Sequence, residues 1–398
     1  MVNNLVFLVQ RFPGYGGAEE YVFQLTRRLA ESGVMCTIYT SDLDKRSITG
    51  LPESVRIVKF PVRFKVGEYA IWRGLFKALL ETKADILHVN TYGYYHTDVV
   101  SLLHGLKKFK VVLTSHGFHG LNAYLSQPVK NASQKNSLLT TFRGAVRPFY
   151  DFTLGFKEIE SADALVALSD NDNEVFRWMG AEMDKIHEIS LGVRDSFFEG
   201  GNEEYKSLLR QRLDGDPIIL SVGELSWVKG KDIPLRAFAT LVKDHPTAKL
   251  VYVGKDGGIY EHLKRLTKQL GLESHVLFEG YIPSENLVNY YSVADVLVHT
   301  SYAEGLSTVI LEALASGLPV VSTPAGGNAQ LLQKCKAGIV VPFNDPNCVY
   351  LAVNKILGDN SLKRFLSANG QVYAVNNLKW TEIAQKYLSL YQSLLEEN

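Results

Sequence analysis

Two carboxylates with seven residues between them, Glu304 and Glu312, stand in the stretch 301–328, SYAEGLSTVILEALASGLPVVSTPAGGN. The pattern reads as a strand end, a loop, a helix that starts near Ser307, a stop at Gly317 and a further strand at 318–322. The first N–H groups of such a helix, at Gly305 to Thr308, lack intrahelical acceptors. Together with the positive end of the helix dipole they suit a phosphate. Helical side chains lean towards the N-terminus, so the Glu312 carboxylate lies over the turn that holds Thr308, beside an anion bound there. Val309, Ile310, Leu311, Ala313, Leu314 and Ala315 make this helix apolar all round. Glu312 is therefore expected to be buried and to need partners such as hydroxyl groups.

Other candidate residues stand where strands end. The loop PGYGGAEE follows the first strand, and Gly14, Gly16 and Gly17 leave its backbone bare enough to approach a phosphate or a sugar ring. It is not a dinucleotide fingerprint, because Glu19 occupies the place of the third glycine. An ordinary tight turn explains the loop equally well. His116 ends another strand, in TSHGFHG; a lone histidine is more often structural, but its place beside glycines at an expected switch point of the sheet makes a chemical role as reasonable. His119 lacks that placement. In SVGELSWVKGKD, Lys229 and Lys231 precede a helix; either is suited to neutralise a diphosphate as a point charge, but in isolation each reads more readily as a solvated loop residue. Asp256, Gly257 and Gly258 form a further glycine loop, and Tyr281 with Ile282 are placed to flank a planar base. P-loop, HExxH and nucleophile-elbow patterns are absent, which excludes the enzyme classes built on them.

Positioning these residues requires parallel sheets. Short β-branched runs alternate with longer amphipathic segments almost from end to end, the pattern of α/β domains with crossover helices. Strands are expected at 5–9, 35–40, 55–60, 85–90, 111–115, 164–168 and 185–190, and helices at 17–32, 69–81, 149–160 and 171–179. The charged, glycine-bearing segment 191–215 breaks the rhythm and reads as a boundary between domains. A second series follows, with strands at 218–222, 250–253, 275–279, 295–300, 318–322 and 339–341. The segment 380–396 is an amphipathic helix whose Ile383, Tyr387, Leu388 and Tyr391 need a surface to pack on. Domain limits of 1–195, 196–375 and 376–398 follow. Two doubly wound domains facing a central cleft would gather the sheet ends, where such folds bind ligands.

With 398 residues the chain is long enough for two cores. Its 42 basic and 42 acidic residues balance, so no charge pattern argues for nucleic acid. Lys107, Lys108 and Lys110, and the pair Arg143 and Arg147, are local exceptions that solvated faces explain best. Cys36, Cys335 and Cys348 show no metal or disulfide spacing. No run of 18 apolar residues appears, and the opening MVNNLVFLVQRF enters a strand directly. These features point to the cytoplasm, with peripheral contact at the membrane inner face left open.

Taken together, the residues resemble the retaining glycosyltransferases of family 4, which have the two-Rossmann architecture called GT-B. EGLSTVILEALASGLPVVSTPAGGN is similar to the family's E-x7-E motif with the G-x-P-V-V and G-G segments that follow it. The GGAE run at Gly16 to Glu19, the His116 loop, the segment around Lys229 and the tryptophan-led final helix occur in the family's order. The resemblance implies that Glu312 binds the ribose hydroxyls of a nucleotide sugar and that Glu304 faces the sugar. Backbone N–H groups of Gly305, Leu306 and Ser307, with Lys229, would hold the diphosphate. Gly16 and Gly17 would approach the phosphate and acceptor side, and His116 would contact the transferred sugar. The final helix would cross back to the N-terminal domain. No metal or cofactor is implied, because lysine and helix dipole stabilise the departing diphosphate. The acceptor, a glycan or a lipid-linked one, is expected at the aromatic region 121–150.

Three positions depart from the family pattern. Glu224 stands five residues before Lys229, where the family has arginine, so a cation is missing unless Lys231 replaces it. Gln330 takes the place of an acidic residue after Gly326 and Gly327, and Arg194 that of an aspartate after Val193. Beside an active transferase two further readings stand: a catalytically weak homologue that binds a nucleotide sugar or serves as a partner subunit, and a nucleotide-sugar epimerase.

Overall fold

The computed structural model describes residues 2, 4–13, 16–46, 48–66, 69–103, 105–106, 109–116 and 150–396. Gly14, Lys107, Lys108, His119, Arg143, Arg147 and nearly all of the region expected to meet the acceptor lie outside these residues. The chain forms two compact units: the described residues up to Gly192 with the helix from Trp380 onwards, and Val193–Lys379.

In the first unit the strands are β1 (Asn4–Val9), β2 (Met35–Ser41), β3 (Arg56–Phe60), β4 (Val62–Val66), β5 (Tyr69–Trp72), β6 (Ile86–Asn90), β7 (Lys110–Thr114), β8 (Ala164–Ala167) and β9 (Ile186–Glu188). Seven of them make one parallel sheet in the order β3-β2-β1-β6-β7-β8-β9. Its central strands are buried along almost their whole length, as strands covered on both faces must be. The order reverses between β1 and β6, so the loops after β1 and β6 flank the point where such sheets bind ligands.

The segment 69–81 is not one helix. β4 and β5 pair as an antiparallel hairpin, and only Leu75–Glu81 is helical. Ala70 and Trp72 alternate inwards while Tyr69 and Ile71 do not, a period of two, and Gly74 at φ +88° separates strand from helix. The segment 191–215 is also more regular than a linker. It folds into helices Asp195–Glu199 and Glu203–Leu213, burying Phe197, Leu209 and Leu213 and leaving most of the charges outside.

The final helix, Trp380–Glu396, packs on the Gly17–Glu31 helix within the first unit. Trp380, Ile383, Tyr387, Tyr391 and Leu394 are its buried stripe. The Tyr21 ring lies 5.9 Å from those of both Trp380 and Tyr387, and Tyr391 Oη is 2.5 Å from His88 Nδ1. A Cβ at Gly192 would overlap the Trp380 indole, so glycine is required for this seat.

The second unit contains β10 (Ile218–Val222), β11 (Lys249–Val253), β12 (Val276–Phe278), β13 (Val296–His299), β14 (Val320–Ser322) and β15 (Gly338–Val340). They form a parallel sheet in the order β12-β11-β10-β13-β14-β15. Leu250, Tyr252, Val296, Val298, Leu235 and Phe238 belong to the core that joins this sheet to its helices. Here the order reverses between β10 and β13. The loops after those two strands are therefore neighbours, and they carry Lys229 and Glu304.

Candidate active site

The two loops at this reversal are laced together. Tyr302 N donates to Val228 O at 2.8 Å, Ser301 Oγ to Val228 O at 3.2 Å, and Thr300 Oγ1 to Gly230 O at 2.9 Å. Gly230 adopts φ +57°, and a Cβ there would strike the carbonyl of Thr300. This stitching presents Lys229, at the end of the short 3-10 turn Trp227–Lys229, to Glu304. Lys229 Nζ donates to Glu304 Oε1 at 2.7 Å, and His299 Nε2 lies 3.1 Å from the same oxygen. Glu304 is buried. Burial pushes its carboxyl up, but Lys229 and His299 outweigh that and hold it below the usual carboxylate range. Burial in turn lowers the His299 pKa, against the opposing pull of Glu304; because a carboxylate oxygen only accepts, the proton of this contact sits on Nε2.

Immediately downstream is the helix Thr308–Ala315, with Ser307 at its N-cap. Ile310 N and Leu311 N bond to Ser307 O, and Ser307 N to Asn328 Oδ1 at 3.4 Å. Gly327 N donates to Gly305 O at 2.8 Å, and Gly326 at φ +55° permits the close approach of the 326–328 turn to residues 304 and 305. The first amides of this helix have no intrahelical acceptor, so the site couples a cation, a carboxylate and a helix N-terminus. Such an arrangement can hold an anion and keep a neighbouring hydroxyl-rich ligand in register.

Glu312 lies one turn further along and is half-buried, not fully buried as its apolar helix suggests. Its Oε2 accepts from Tyr291 Oη at 2.7 Å. Tyr291 is itself buried, and burial followed by the Glu312 charge raises its pKa well above the ordinary phenol value.

Lys231 is not a solvated loop residue. It is 1% exposed, and its Nζ bonds to Ser221 Oγ at 3.0 Å and Val222 O at 2.7 Å. Glu224 forms an ion pair with Lys255 at 3.2 Å, so its charge is matched at the loop surface. Gly257 is needed because a Cβ there would press on Glu224 and Ser226. Asp256 Oδ1 accepts from the amides of Gly258, Ile259 and Tyr260, which gives that loop a structural task. Tyr281 is exposed and Ile282 half-buried, both just beyond the end of β12. Gln330 Oε1 and Asn328 Nδ2 are buried without a partner among the described residues.

The remaining candidates belong to the first unit. Gly16 is the exposed N-cap of the Gly17–Glu31 helix and Gly17 its exposed first residue; a Cβ at Gly16 would overlap the Glu19 carboxylate. His116 takes φ +51° after β7; its Nε2 is 3.4 Å from Asn90 Oδ1, and its ring stands edge-on to Tyr21 at 4.6 Å. Two residues escaped the sequence reading. His299 left a signal, a histidine closing the apolar run of β13 just before the Glu304 loop. Tyr291 left none, since its bond to Glu312 spans 21 residues.

His116 follows β7, one strand away from the reversal between β1 and β6, so it does not stand at the switch point itself. Two parallel Rossmann-like sheets, with the Gly16 loop at the reversal of the first and the Lys229 and Glu304 loops at that of the second, define a two-domain α/β protein of the GT-B type. A sucrose-phosphate synthase from Thermosynechococcus elongatus has a similar fold, with a TM-score of 0.78 at 23% identity over the whole of both chains. So does HepE from Anabaena, solved with UDP, with a TM-score of 0.75 at 19% identity over 98% of this chain and 100% of that one. At these identities the likeness is one of fold. The family profiles carry the assignment further: Glycosyltransferase Family 4 matches residues 15–197 and Glycosyl transferases group 1 matches residues 209–372. The chain belongs to the family 4 (group 1) glycosyltransferases. Among its relatives are a mannosylfructose-phosphate synthase of Agrobacterium fabrum, 26% identical over 95% of this chain and 86% of that protein, and a D-inositol 3-phosphate glycosyltransferase of Corynebacterium diphtheriae, 27% identical over 94% and 89%.

Proposed function

We propose that the protein is a retaining glycosyltransferase that moves a hexose-type sugar from a nucleoside-diphosphate sugar to a hydroxyl of a glycan or lipid-linked acceptor, without a metal or cofactor. It would act in the cytoplasm, reaching a lipid-linked acceptor at the inner membrane face. The observation that carries this reading is the Lys229–Glu304 pair, 2.7 Å apart beside the start of the Thr308–Ala315 helix. A diphosphate entering there meets a lysine and the amides of Gly305 and Leu306, and that of Ser307 once it gives up its long bond to Asn328 Oδ1. The two together offset the negative charge that develops as the sugar departs. Glu304 is then released from part of its bond to Lys229 and turns to the sugar hydroxyls. Glu312, steadied by Tyr291, receives the ribose hydroxyls, and Tyr281 with Ile282 flank the base. In the first unit, considered by itself, Gly16 and Gly17 offer bare backbone to a phosphate or the acceptor, and His116 is the side chain proposed to contact the transferred sugar. In the transfer the bond from the anomeric carbon to the phosphate oxygen breaks and a bond from the acceptor oxygen forms on the same face. The acceptor's proton passes to the leaving phosphate oxygen, so no side chain is assigned as general base. The UDP held by HepE, a protein of similar fold, supports a nucleoside diphosphate as the leaving group.

A thermal-shift screen against UDP-, GDP- and ADP-sugars identifies the donor, and NMR of the product of an acceptor screen reads the anomeric configuration. Inversion would overturn the retaining assignment. Binding without transfer or hydrolysis would establish the binding-subunit reading, and a changed sugar formed without acceptor would establish an epimerase. The Glu224–Lys255 pair favours the transferase, because the acidic side chain that stands where the family has arginine is balanced.

A further inference from the structure

Lys231 occupies a place where an apolar side chain would serve stability better. It is 1% exposed, and its Nζ is held by two neutral acceptors, Ser221 Oγ and Val222 O. Among the described residues it makes no ion pair. Its own carbonyl accepts from Tyr252 Oη at 2.7 Å, so the backbone is held as firmly as the side chain. A Cβ on Gly223, at φ +120°, would lie 3.7 Å from Nζ: the ammonium sits directly under the turn that leaves β10 for the Lys229 loop. A methionine of similar length would fill that space without desolvating a charge. The charged and titratable groups around it are Lys229 on the 3-10 turn, Glu304 on the facing loop, His299 at the end of β13, Tyr252 on β11 and Asp232 next in sequence. Burial first, then Lys229, lowers its pKa to about 7.

We propose that Lys231 is the second cation of the diphosphate site, a positioning residue that acts through its field from beneath the Gly223 turn and takes on its charge when a diphosphate binds. The proposal rests on reading this loop pair as the donor site. In the free protein Lys229 takes the Glu304 carboxylate, and Lys231, buried with only neutral acceptors, is readily deprotonated near neutral pH. A bound diphosphate adds negative charge in a poorly screened setting and favours the ammonium. By linkage, binding must then take up a proton, and affinity must fall as pH rises from about 7 to 9.

Titration calorimetry of UDP, GDP and ADP at about pH 8, in two buffers of different ionisation enthalpy, tests this directly. The native protein is expected to take up on the order of one proton per nucleotide bound. Lys231→Met should take up none, bind roughly tenfold more weakly and lose the pH dependence. No uptake by the native protein, or the same uptake by Lys231→Met, would overturn the proposal. Should Lys231→Met fail to fold, the uptake by the native protein and its course with pH decide. If none of the three nucleotides binds, the donor-site reading falls first and this inference with it.

Discussion

Lys229 Nζ lies 2.7 Å from Glu304 Oε1, an ion pair between the loops that leave the two strands at which the second sheet reverses its order. His299 Nε2 shares that oxygen at 3.1 Å. The cation assigned to the leaving group and the carboxylate assigned to the sugar thus hold each other before any ligand arrives. Lys229→Met should leave the fold intact, since His299 still satisfies Glu304, and should lower kcat about 10²–10³-fold. Steady-state kinetics with the identified donor check this, and an unchanged kcat would remove Lys229 from the leaving-group role.

The same pair predicts a pH effect on stability. The folded-state pKa of Glu304 is depressed from its ordinary value of 4.5, because Lys229 and His299 outweigh burial. A depressed carboxylate contributes stability that is fully present above its unfolded pKa and is lost as pH falls through the folded value. Native protein should therefore exceed Glu304→Gln in stability by a steady margin from about pH 5 to 8, with the margin shrinking below about pH 4.5. Urea unfolding of both proteins across this range measures it; a margin that grows towards acid would contradict the ion-pair account.

Glu312 and Tyr291 should act in series. Glu312→Ala is expected to weaken donor binding by about 1–3 kcal/mol through lost charge-assisted hydrogen bonds. Tyr291→Phe should cost a smaller amount, roughly 0.5–1.5 kcal/mol, with kcat little changed, since it removes one bond that steadies the carboxylate. Donor titrations of both variants settle the ribose assignment, and an unaltered affinity for Glu312→Ala would refute it.

Treatment with EDTA is expected to leave activity untouched, because Lys229 and the helix start are assigned the charge of the leaving diphosphate. A strict requirement for an added divalent ion in the transfer assay would move that charge to a metal and displace this account.

Gly192→Ala tests the seat of the final helix. The added Cβ would meet the Trp380 indole, so the helix must shift or the tryptophan must leave its pocket beside Tyr21. A loss of about 1–3 kcal/mol is expected, read by chemical denaturation of the native and variant proteins. A neutral result would show that the helix slides without penalty.

Much of this protein is determined by its sequence alone. Alternating β-branched runs and amphipathic segments specify parallel sheets, because period and length are local properties that the chain carries wherever it folds. Glu304, the helix start after Ser307, Lys229 and the tryptophan-led final helix were legible for the same reason: each sits at a fixed offset from a strand end or a glycine. The hairpin of β4 and β5 was not legible, because TyrAlaIleTrp suits helix and strand alike and only the partner strand Val62–Val66 decides. The two helices after Val193 were hidden by their charges, which hold the outer face while Phe197, Leu209 and Leu213 find the core. Tertiary structure alone decided the medium of each charge. Lys229 and Lys231 are two residues apart and look interchangeable in the sequence, yet one reaches Glu304 and the other is sealed under Gly223. Glu312 was expected to be buried and is half-exposed, with Tyr291 as its partner. The pairings of Glu312 with Tyr291 and of Glu304 with Lys229 bring together groups 21 and 75 residues apart, and no local pattern records them.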